Sequence, residues 1–219
     1  MLLEYWQGRW QRNEIGFHQD TVNPYLVRHW ERLGVKPPGR VFVPMCGKSV
    51  DMYWLYSQGY PVLGVEISAL AVQAFFDDAG LEAQPVTEAG LPGWAHDELK
   101  ILCADYFELH AQHTAGVSAV YDRASLIALP EEMRGRYADH MMMLTHPRAA
   151  MLLITLEYPE DEMEGPPFSV RAAEIRRLYG EKYDIELLET APILEESHRF
   201  KEKGLSRLDE AVYLLKPRA

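Results

Sequence analysis

Three acidic residues stand at points of the sequence where we predict parallel strands to end. Glu66, Asp105 and Asp122 each follow a short run of apolar residues. In open α/β sheets, ligands bind beyond the carboxyl ends of the strands, so these side chains are expected to share one edge of the sheet. A single acid in a loop is more often a solvated turn residue. Three at successive strand ends predict a site that accepts hydrogen bonds from a ligand rich in N–H and O–H groups.

The first of these acids has the position expected for binding a ribose. The apolar run Val41 to Val43 leads into a turn at Gly47. An amphipathic stretch and a second apolar run follow before Glu66, which stands 19 residues after that glycine. Nucleoside-binding βαβ units place their acid about 20 residues after the turn. Glu66 could accept hydrogen bonds from both ribose hydroxyls, and Asp105 could accept one from the adenine amino group, since each of these ligand groups is a donor.

Phosphate-binding motifs are incomplete in this region. A phosphate-binding loop needs a glycine five residues before Gly47, where the chain has Phe42, and only one of the three glycines of the dinucleotide motif is present. A pyrophosphate needs several free backbone N–H groups, so an adenosine ligand without phosphate is favoured over NAD. The eight histidines and the cysteines Cys46 and Cys103 show no metal-ligand spacing, and we predict no metal site.

The N-terminal segment is rich in aromatic residues, among them Trp6, Trp10 and Phe17. Aromatic side chains in a leading helix are most often core residues, because they bury a large apolar area. They could also form a lid over a flat heterocycle or a sulfonium ion, because an aromatic face attracts positive charge. The sequence leaves both interpretations open.

The elements that must position these residues alternate along the chain. From Val41 onward, apolar runs of strand length are followed by amphipathic helical stretches, the last of them Val170 to Tyr179. This alternation predicts an α/β fold with a doubly wound, mostly parallel sheet covered by helices on both faces. The last two strands, near Ile185 to Leu188 and Ala211 to Leu215, are joined by a charged loop and are expected to pair antiparallel. We expect one domain spanning residues 1–219.

Composition excludes several classes of protein. Hydrophobic residues make up 47% and charged residues 25% of the chain, and 22 Lys and Arg stand against 33 Asp and Glu, a formal charge of −11. A surface this acidic repels nucleic acid and anionic lipid, so neither is an expected partner, although a small cavity could still be positive. No apolar stretch is long enough for a membrane span, and the N-terminus lacks signal-peptide character. We therefore expect a cytoplasmic protein with reduced cysteines.

Four stretches of the sequence, in the same order and covering essentially the whole chain, resemble the bacterial branch of the thiopurine S-methyltransferase family. They are YWQGRWQRNEIGFHQ, FVPMCGKSVDMYWLYSQGYPVLGVEIS, YDRASLIALP and GPPFSV. The resemblance implies a class I, Rossmann-like methyltransferase fold with a seven-stranded sheet whose last strand is antiparallel. It also implies a monomer in which residues 1–38 form a helical cover over the cofactor, S-adenosylmethionine, which leaves as S-adenosylhomocysteine.

The resemblance assigns cofactor-binding roles residue by residue. Trp10 is similar to the family's N-terminal tryptophan that covers the cofactor, and Phe17 to the aromatic residue that lines the same pocket. Met45 corresponds to an apolar residue that packs against the methionine part of the cofactor. Glu66 corresponds to the ribose-binding acid. Asp105 lies where family members contact the adenine edge.

Two arginines receive catalytic roles from the same resemblance. Arg123 matches an arginine that lines the site next to the cofactor, and Arg199 matches a second arginine that handles the acceptor. The alternative for both arginines is an ordinary salt bridge at the protein surface. Methyl transfer to a soft sulfur needs chiefly in-line approach to roughly 3–3.5 Å and exclusion of water. An aromatic thiol is acidic enough to need no strong base, and a guanidinium group favours its anion further. The absence of a catalytic dyad is therefore expected.

The resemblance predicts an S-methyltransferase for thiopurines and related aromatic or heterocyclic thiols, with selenium or tellurium compounds as further acceptors. Two alternatives stay open from the residues alone. One is a non-catalytic sensor of S-adenosylmethionine, which would keep the Glu66 pocket and lack an acceptor site. The other is a methyltransferase for a small molecule that is not a thiol, since one fold hosts many chemistries.

Overall fold

A nine-stranded mixed sheet with helices on both faces forms the centre of the molecule. The structure is a computed structural model and describes residues 3–12, 14–16 and 18–218. The strands are β1 (Arg40–Val43), β2 (Val62–Glu66), β3 (Gln84–Glu88), β4 (Leu91–His96), β5 (Leu99–Cys103), β6 (Val117–Arg123), β7 (Ala150–Glu157), β8 (Tyr183–Pro192) and β9 (Asp209–Pro217). The helices are α1 (Leu3–Gln11), α2 (Pro24–His29), α3 (Val50–Ser57), α4 (Ala69–Ala79), α5 (Glu131–Leu144), α6 (Ala172–Tyr179) and α7 (His198–Glu202).

The strand order is β3-β4-β5-β2-β1-β6-β7-β9-β8. Neighbours from β5 to β7 run parallel, whereas β9 lies antiparallel between β7 and β8. The predicted fold class, a mostly parallel sheet with an antiparallel last strand, is confirmed. The chain order reverses at β1, because β2 lies on one side of it and β6 on the other. In sheets of this kind a ligand crevice opens at that point, beyond the carboxyl ends of the strands.

The sheet has two more strands than the seven that the resemblance implied. They form the antiparallel hairpin β3-β4, which extends the edge beyond β5. Of its strand residues only Gly93 is buried, and its sequence includes Pro85 and Pro92 as well as this glycine, so no apolar alternation marked it as strand. The charged stretch expected to be a loop between the last two strands contains the short helix α7, and both of those strands are longer than predicted.

Two apolar layers pack against the sheet, one on each face. In β1, Phe42 faces one layer, and Val41 and Val43 face the other, as alternation along a strand requires. Helices α5 and α6 cover the Phe42 side, while α2, α3 and α4 cover the opposite side. Ser68 is the N-cap of α4, and its hydroxyl oxygen accepts a hydrogen bond from Ala71 N at 3.4 Å, a contact typically worth about 1 kcal/mol.

No helix in the described part of the chain combines the length and the apolar character that crossing a membrane would require.

Candidate active site

A cavity of about 520 Å³ lies beyond the carboxyl ends of β1, β2, β5 and β6, with α1 against it. This is an ordinary volume for a site that binds a small organic ligand. Six of the seven residues to which the resemblance assigned roles line this cavity: Trp10, Met45, Glu66, Asp105, Arg123 and Arg199. The seventh, Phe17, lies outside the described residues. Asp122, the third of the acids expected at strand ends, lines neither this cavity nor the second one described below, because its side chain is completely buried and its Oδ2 accepts a hydrogen bond from Tyr137 OH at 2.7 Å. Only two of the three acids therefore reach the site.

Glu66 is almost completely buried at the end of β2, with 7% of its surface exposed. Its Oε2 accepts a hydrogen bond from Gly47 N at 2.9 Å, and its Oε1 accepts one from Ser68 N at 2.8 Å. Burial raises the pKa of this carboxyl group, and the backbone N–H bonds oppose that shift. Glu66 therefore fixes the turn after β1 and the start of α4. Each oxygen keeps a further lone pair that a ligand hydroxyl could use.

The turn between β1 and α3 brings backbone close to the cavity in a strained conformation. Met45 has a φ of 44°, in the left-handed region that residues other than glycine rarely adopt. Cys46 N donates to Val65 O at 3.0 Å, which ties the turn to β2. Ala124, directly after Arg123, is also left-handed, with a φ of 64°. Both strained residues line the cavity, and such strain concentrates at functional sites.

Asp105 begins a short turn at the end of β5. Its Oδ1 accepts a hydrogen bond from Phe107 N at 2.9 Å. Its other carboxylate oxygen has no hydrogen-bond partner among residues 3–12, 14–16 and 18–218. The guanidinium of Arg136 lies 4.1 Å from the centre of the Phe107 ring, and both side chains line the cavity. This wall offers a flat surface beside a free acceptor, which suits an adenine with its amino group.

The N-terminal helix α1 contributes Trp6, Arg9 and Trp10 to the cavity wall. Arg9 holds the end of the helix to the following segment, since its Nε and Nη2 donate to Glu14 O at 3.0 and 2.9 Å. Of the two interpretations left open by the sequence, the placement of both tryptophans at the cavity favours the lid over the core. The later part of the predicted cover does not lie over the cavity. Helix α2 (Pro24–His29) packs in the apolar layer on one face of the sheet.

Arg123, at the end of β6, is mostly buried, with 13% of its side chain exposed. Its Nη1 lies 3.9 Å from Oδ2 of Asp51, which has 1% of its surface exposed. Oδ2 of Asp51 also accepts a hydrogen bond from Tyr121 OH at 2.8 Å, and Oδ1 of Asp51 accepts one from Asn23 N at 2.8 Å. The buried acid thus orients the Arg123 guanidinium at the boundary between the sheet and the cavity.

Arg199 reaches the cavity from α7, and its guanidinium lies 4.3 Å from the centre of the Phe200 ring. Its surface remains accessible from the cavity, yet enough of the group is shielded from water that its pKa is lowered, first by burial and then by Arg9. In the described part of the chain, it has no hydrogen-bond or ion-pair partner. A Cβ at Gly16 would stand 2.0 Å from Arg199 Nη1, so the glycine makes room for this guanidinium.

A second cavity of about 410 Å³ adjoins the first and extends along β7 and β9. The two cavities share the walls formed by Gly16, Arg123, Ile127 and Arg199, among others. A ligand in the second cavity would therefore lie against both guanidinium groups and beside a ligand in the first. The arrangement provides separate but adjoining spaces for a donor and an acceptor.

The lining of the larger cavity has more basic than acidic residues although the chain is acidic, and two of the basic ones, Lys48 and Arg123, are paired with Asp78 and Asp51. The described lining includes six Lys and Arg residues, Arg9, Lys48, Arg123, Arg136, Arg199 and Lys203. The acids in the same lining are Glu14, Glu66 and Asp105. Charges that surround a small space of low polarity act more strongly than the same charges on an open surface. The cavity can therefore attract a small anion in spite of the formal charge of −11.

Sequence reasoning missed several residues of the site. Arg136 stands on the face of α5 next to the cavity, but nothing in the helical pattern separates it from a solvated arginine. Gly16 and Glu210 carry no motif of their own. Thr155 lies within an unbroken apolar strand. A grouping of at least three His, Cys, Asp or Glu residues able to hold a metal ion does not occur in the described ranges.

Comparison with known proteins agrees with this geometry. The family model of thiopurine S-methyltransferase matches residues 1–218. The chain is 50% identical to the thiopurine S-methyltransferase of Nitrosospira multiformis over 218 residues, which are 100% of this chain and 99% of that protein.

Solved structures share the fold at low sequence identity. A methyltransferase from Anabaena variabilis that depends on S-adenosylmethionine has a TM-score of 0.65 and 16% identity, over 99% of this chain and 95% of that chain. The 1,6-didemethyltoxoflavin-N1-methyltransferase of Burkholderia thailandensis, solved with S-adenosylhomocysteine bound, has a TM-score of 0.59 and 14% identity, over 99% and 84% of the two chains. The chain therefore belongs to the thiopurine S-methyltransferase family, and it is an enzyme that uses S-adenosylmethionine as its methyl donor.

Proposed function

We propose that this enzyme methylates the sulfur atom of thiopurines and of related aromatic or heterocyclic thiols. The observation that carries the proposal is the wall shared by the two cavities, because Arg123 and Arg199 each line both of them. An aromatic thiolate is an anion, and two guanidinium groups favour it over the neutral thiol. They would hold the sulfur next to the cofactor, whose own positive charge repels the arginines and attracts the thiolate.

We propose that the larger cavity holds S-adenosylmethionine through the residues predicted from the sequence. Glu66 accepts the ribose hydroxyls on its remaining lone pairs, and Asp105 accepts the adenine amino group on its free oxygen. Met45 packs against the methionine part. Trp10 covers the sulfonium, for which an indole face is a favourable neighbour. The role of Phe17 stays a prediction, because this residue lies outside the described part of the chain.

When bound, S-adenosylmethionine supplies an electrophilic methyl group: its carbon–sulfur bond breaks as the thiolate–carbon bond forms, and the electron pair of the broken bond stays on the donor sulfur. The chain contributes orientation and protection from water. Arg123, held by Asp51, and Arg199 fix the acceptor sulfur in line with the methyl group at roughly 3–3.5 Å. The helix α1 closes the cavity, which limits hydrolysis and strengthens the electrostatic interactions inside it.

The same cavity would accept other soft anions. Two guanidinium groups beside an open space suit selenium and tellurium compounds as well as thiols, because these acceptors are also anionic or form anions readily. We further propose a cytoplasmic monomer that acts as one domain over residues 1–219, in which helix α1, the first part of the predicted cover of residues 1–38, closes the cavity. The formal charge of −11 supports a small-molecule acceptor over nucleic acid or an anionic membrane.

The test combines binding with turnover. We expect calorimetric titration to give micromolar affinity for S-adenosylmethionine and S-adenosylhomocysteine and none for NAD, with methyl transfer to 6-mercaptopurine and thiophenol. Turnover with selenite or halide and none with either thiol would show that the acceptor is not a thiol and would contradict the proposed substrate class. Binding without turnover on any acceptor in the panel would contradict the proposed reaction.

A pair of arginine variants assigns the acceptor side. We expect Arg123→Ala to reduce turnover more than it weakens binding of S-adenosylhomocysteine, because the guanidinium acts on the acceptor. The control is Arg148→Ala, an exposed position that lines neither cavity. The opposite pattern, weak binding with normal turnover at saturation, would make Arg123 a cofactor anchor.

A further inference from the structure

The second cavity holds two polar side chains that lack partners. Thr155, on β7, is completely buried, and its hydroxyl group has no hydrogen-bond partner in the structure as described. Glu210, on β9, is partly buried, and its carboxylate forms neither a hydrogen bond nor an ion pair with any of the described residues. Both line the same cavity as Arg123 and Arg199. A buried polar group normally has a partner, so the unpaired hydroxyl group of Thr155, with the partly exposed carboxylate of Glu210 in the same cavity, indicates a space for a polar ligand.

The charges around Glu210 leave its carboxylate available to that ligand. Burial raises the pKa of the carboxyl group, Arg123 lowers it, and the negative charge of Asp51 raises it again. Among the described residues no ion pair joins Arg123 to Glu210, and the Arg123 guanidinium lies 3.9 Å from Asp51. A hydrogen bond from the ligand stabilises a partly buried carboxylate more than an exposed one, because fewer water molecules can hydrogen-bond to it.

We propose that Glu210 determines acceptor specificity by accepting a hydrogen bond from a ring N–H group of the acceptor. Arg123 and Arg199 attract the thiolate at one end of the acceptor, and Glu210 receives the N–H at the other. The hydroxyl of Thr155 pairs with a further ring nitrogen. The enzyme therefore prefers heterocyclic thiols that carry an N–H group over thiols of plain aromatic rings. This inference rests on the proposed function and names the acceptor class more narrowly.

The preference has a physical basis beyond added attraction. A site built to hydrogen-bond a ligand group discriminates strongly against an analogue that lacks it, because the group of the protein is then left unpaired. A plain aryl thiol in this cavity would cover Glu210 and Thr155 without satisfying either. A heterocycle with a donor and an acceptor on its edge satisfies both.

The experiment measures binding of two thiols to the protein saturated with S-adenosylhomocysteine, so that it does not depend on turnover. The thiols are 6-mercaptopurine, which has ring N–H groups, and thiophenol, which has none. We expect Glu210→Gln to weaken the binding of 6-mercaptopurine about five-fold, since a neutral acceptor replaces a charged one. Glu210→Ala should weaken this binding roughly ten- to a hundred-fold. Thr155→Val should weaken it several-fold. Binding of thiophenol should not weaken in any variant, and Glu210→Ala should strengthen it, because the carboxylate that this thiol leaves unpaired is then absent.

The control is Glu202→Gln, which makes the same charge change at an exposed position outside both cavities. Affinity for S-adenosylhomocysteine reports whether each variant is folded. Equal losses for both thiols would overturn the proposal and indicate a general electrostatic role for Glu210, and unchanged binding of 6-mercaptopurine would overturn it as well. Methyl transfer by the wild-type enzyme to either thiol tests the proposed function separately, whereas Glu210 is judged by the ratio of the two dissociation constants.

Discussion

Replacing Glu66 by glutamine tests the donor side of the site most directly. The carboxylate accepts two backbone hydrogen bonds, from Gly47 N at 2.9 Å and from Ser68 N at 2.8 Å. A glutamine has one acceptor oxygen, so one of these buried N–H groups would face an NH₂ group instead. Leaving a buried donor unsatisfied costs about 1–3 kcal/mol. Burial also makes the native charge unfavourable, as its raised pKa indicates, so removing the charge offsets part of that loss.

The same substitution should weaken cofactor binding. A hydrogen bond to a charged group is worth about 1.5–3 kcal/mol, so loss of the carboxylate should weaken S-adenosylhomocysteine roughly ten- to a hundred-fold. The effect has a second measurable form, because a ligand that binds only the folded state stabilises it. At a concentration of 1,000 times the wild-type dissociation constant this stabilisation is about 4 kcal/mol, and the variant should lose roughly 1.4–2.7 kcal/mol of it.

Urea unfolding with and without S-adenosylhomocysteine, together with calorimetric titration, separates the two effects. The control is Glu82→Gln, an exposed position that lines neither cavity. Unchanged affinity in Glu66→Gln would refute the placement of the ribose. Unchanged stability of the ligand-free variant would show that the two backbone hydrogen bonds do not hold the turn after β1.

Two further substitutions test the buried Asp122 at the end of β6 and the room that Gly16 leaves for Arg199. Burial raises the pKa of Asp122 from 3.8 to about 6, so between about pH 4 and 6 the folded state holds a proton that the unfolded state has lost. The free energy of unfolding should therefore fall by roughly 3 kcal/mol as pH rises through this window. Asp122→Asn should abolish that fall, and a difference between wild type and variant that stays constant from pH 4 to 7 would contradict the reasoning. Gly16→Ala would set a Cβ 2.0 Å from Arg199 Nη1, and displacement of this guanidinium should raise KM for a thiol roughly ten-fold, by loss of a charged contact. The control Gly135→Ala has no atom within 4 Å of its new Cβ and should stabilise α5 by about 0.5–1 kcal/mol in urea unfolding; equal kinetic effects of both glycine variants would contradict the role of Gly16.

Strand ends explain why the donor side of the site could be predicted from the sequence. Glu66 and Asp105 follow apolar runs that became β2 and β5, and parallel strands necessarily bring their carboxyl ends to one edge. Met45 was assigned through the resemblance alone, because no pattern announces that a methionine will take a left-handed conformation. The hairpin β3-β4 was not predicted, because an exposed edge hairpin buries too little apolar surface to impose alternation on its sequence.

The acceptor side could not be derived in the same way, because it depends on pairing between distant segments. Arg199 lies on the five-residue helix α7, which is too short to produce a helical pattern. Glu210 is at the beginning of β9 and not at its end. Because β9 runs antiparallel beside β7, with Glu210 opposite Leu156, its amino-terminal end lies at the carboxyl edge of the parallel strands. A search of carboxyl ends alone therefore misses this residue.

With donor and acceptor placed as proposed, this topology divides the reaction between two halves of one sheet. The proposed donor site lies at the ends of β1, β2 and β5, and the proposed acceptor site beside β6, β7 and β9, with Arg123 at the boundary. Asp51, which orients Arg123, itself belongs to α3 on the donor half. Substitutions in β7 and β9 can therefore change which acceptor fits while the turn at Gly47 and Glu66 keeps its geometry. On this proposal the acceptor can change without a change of the methyl donor, because the strands proposed to hold the two ligands are neighbours only at β1 and β6.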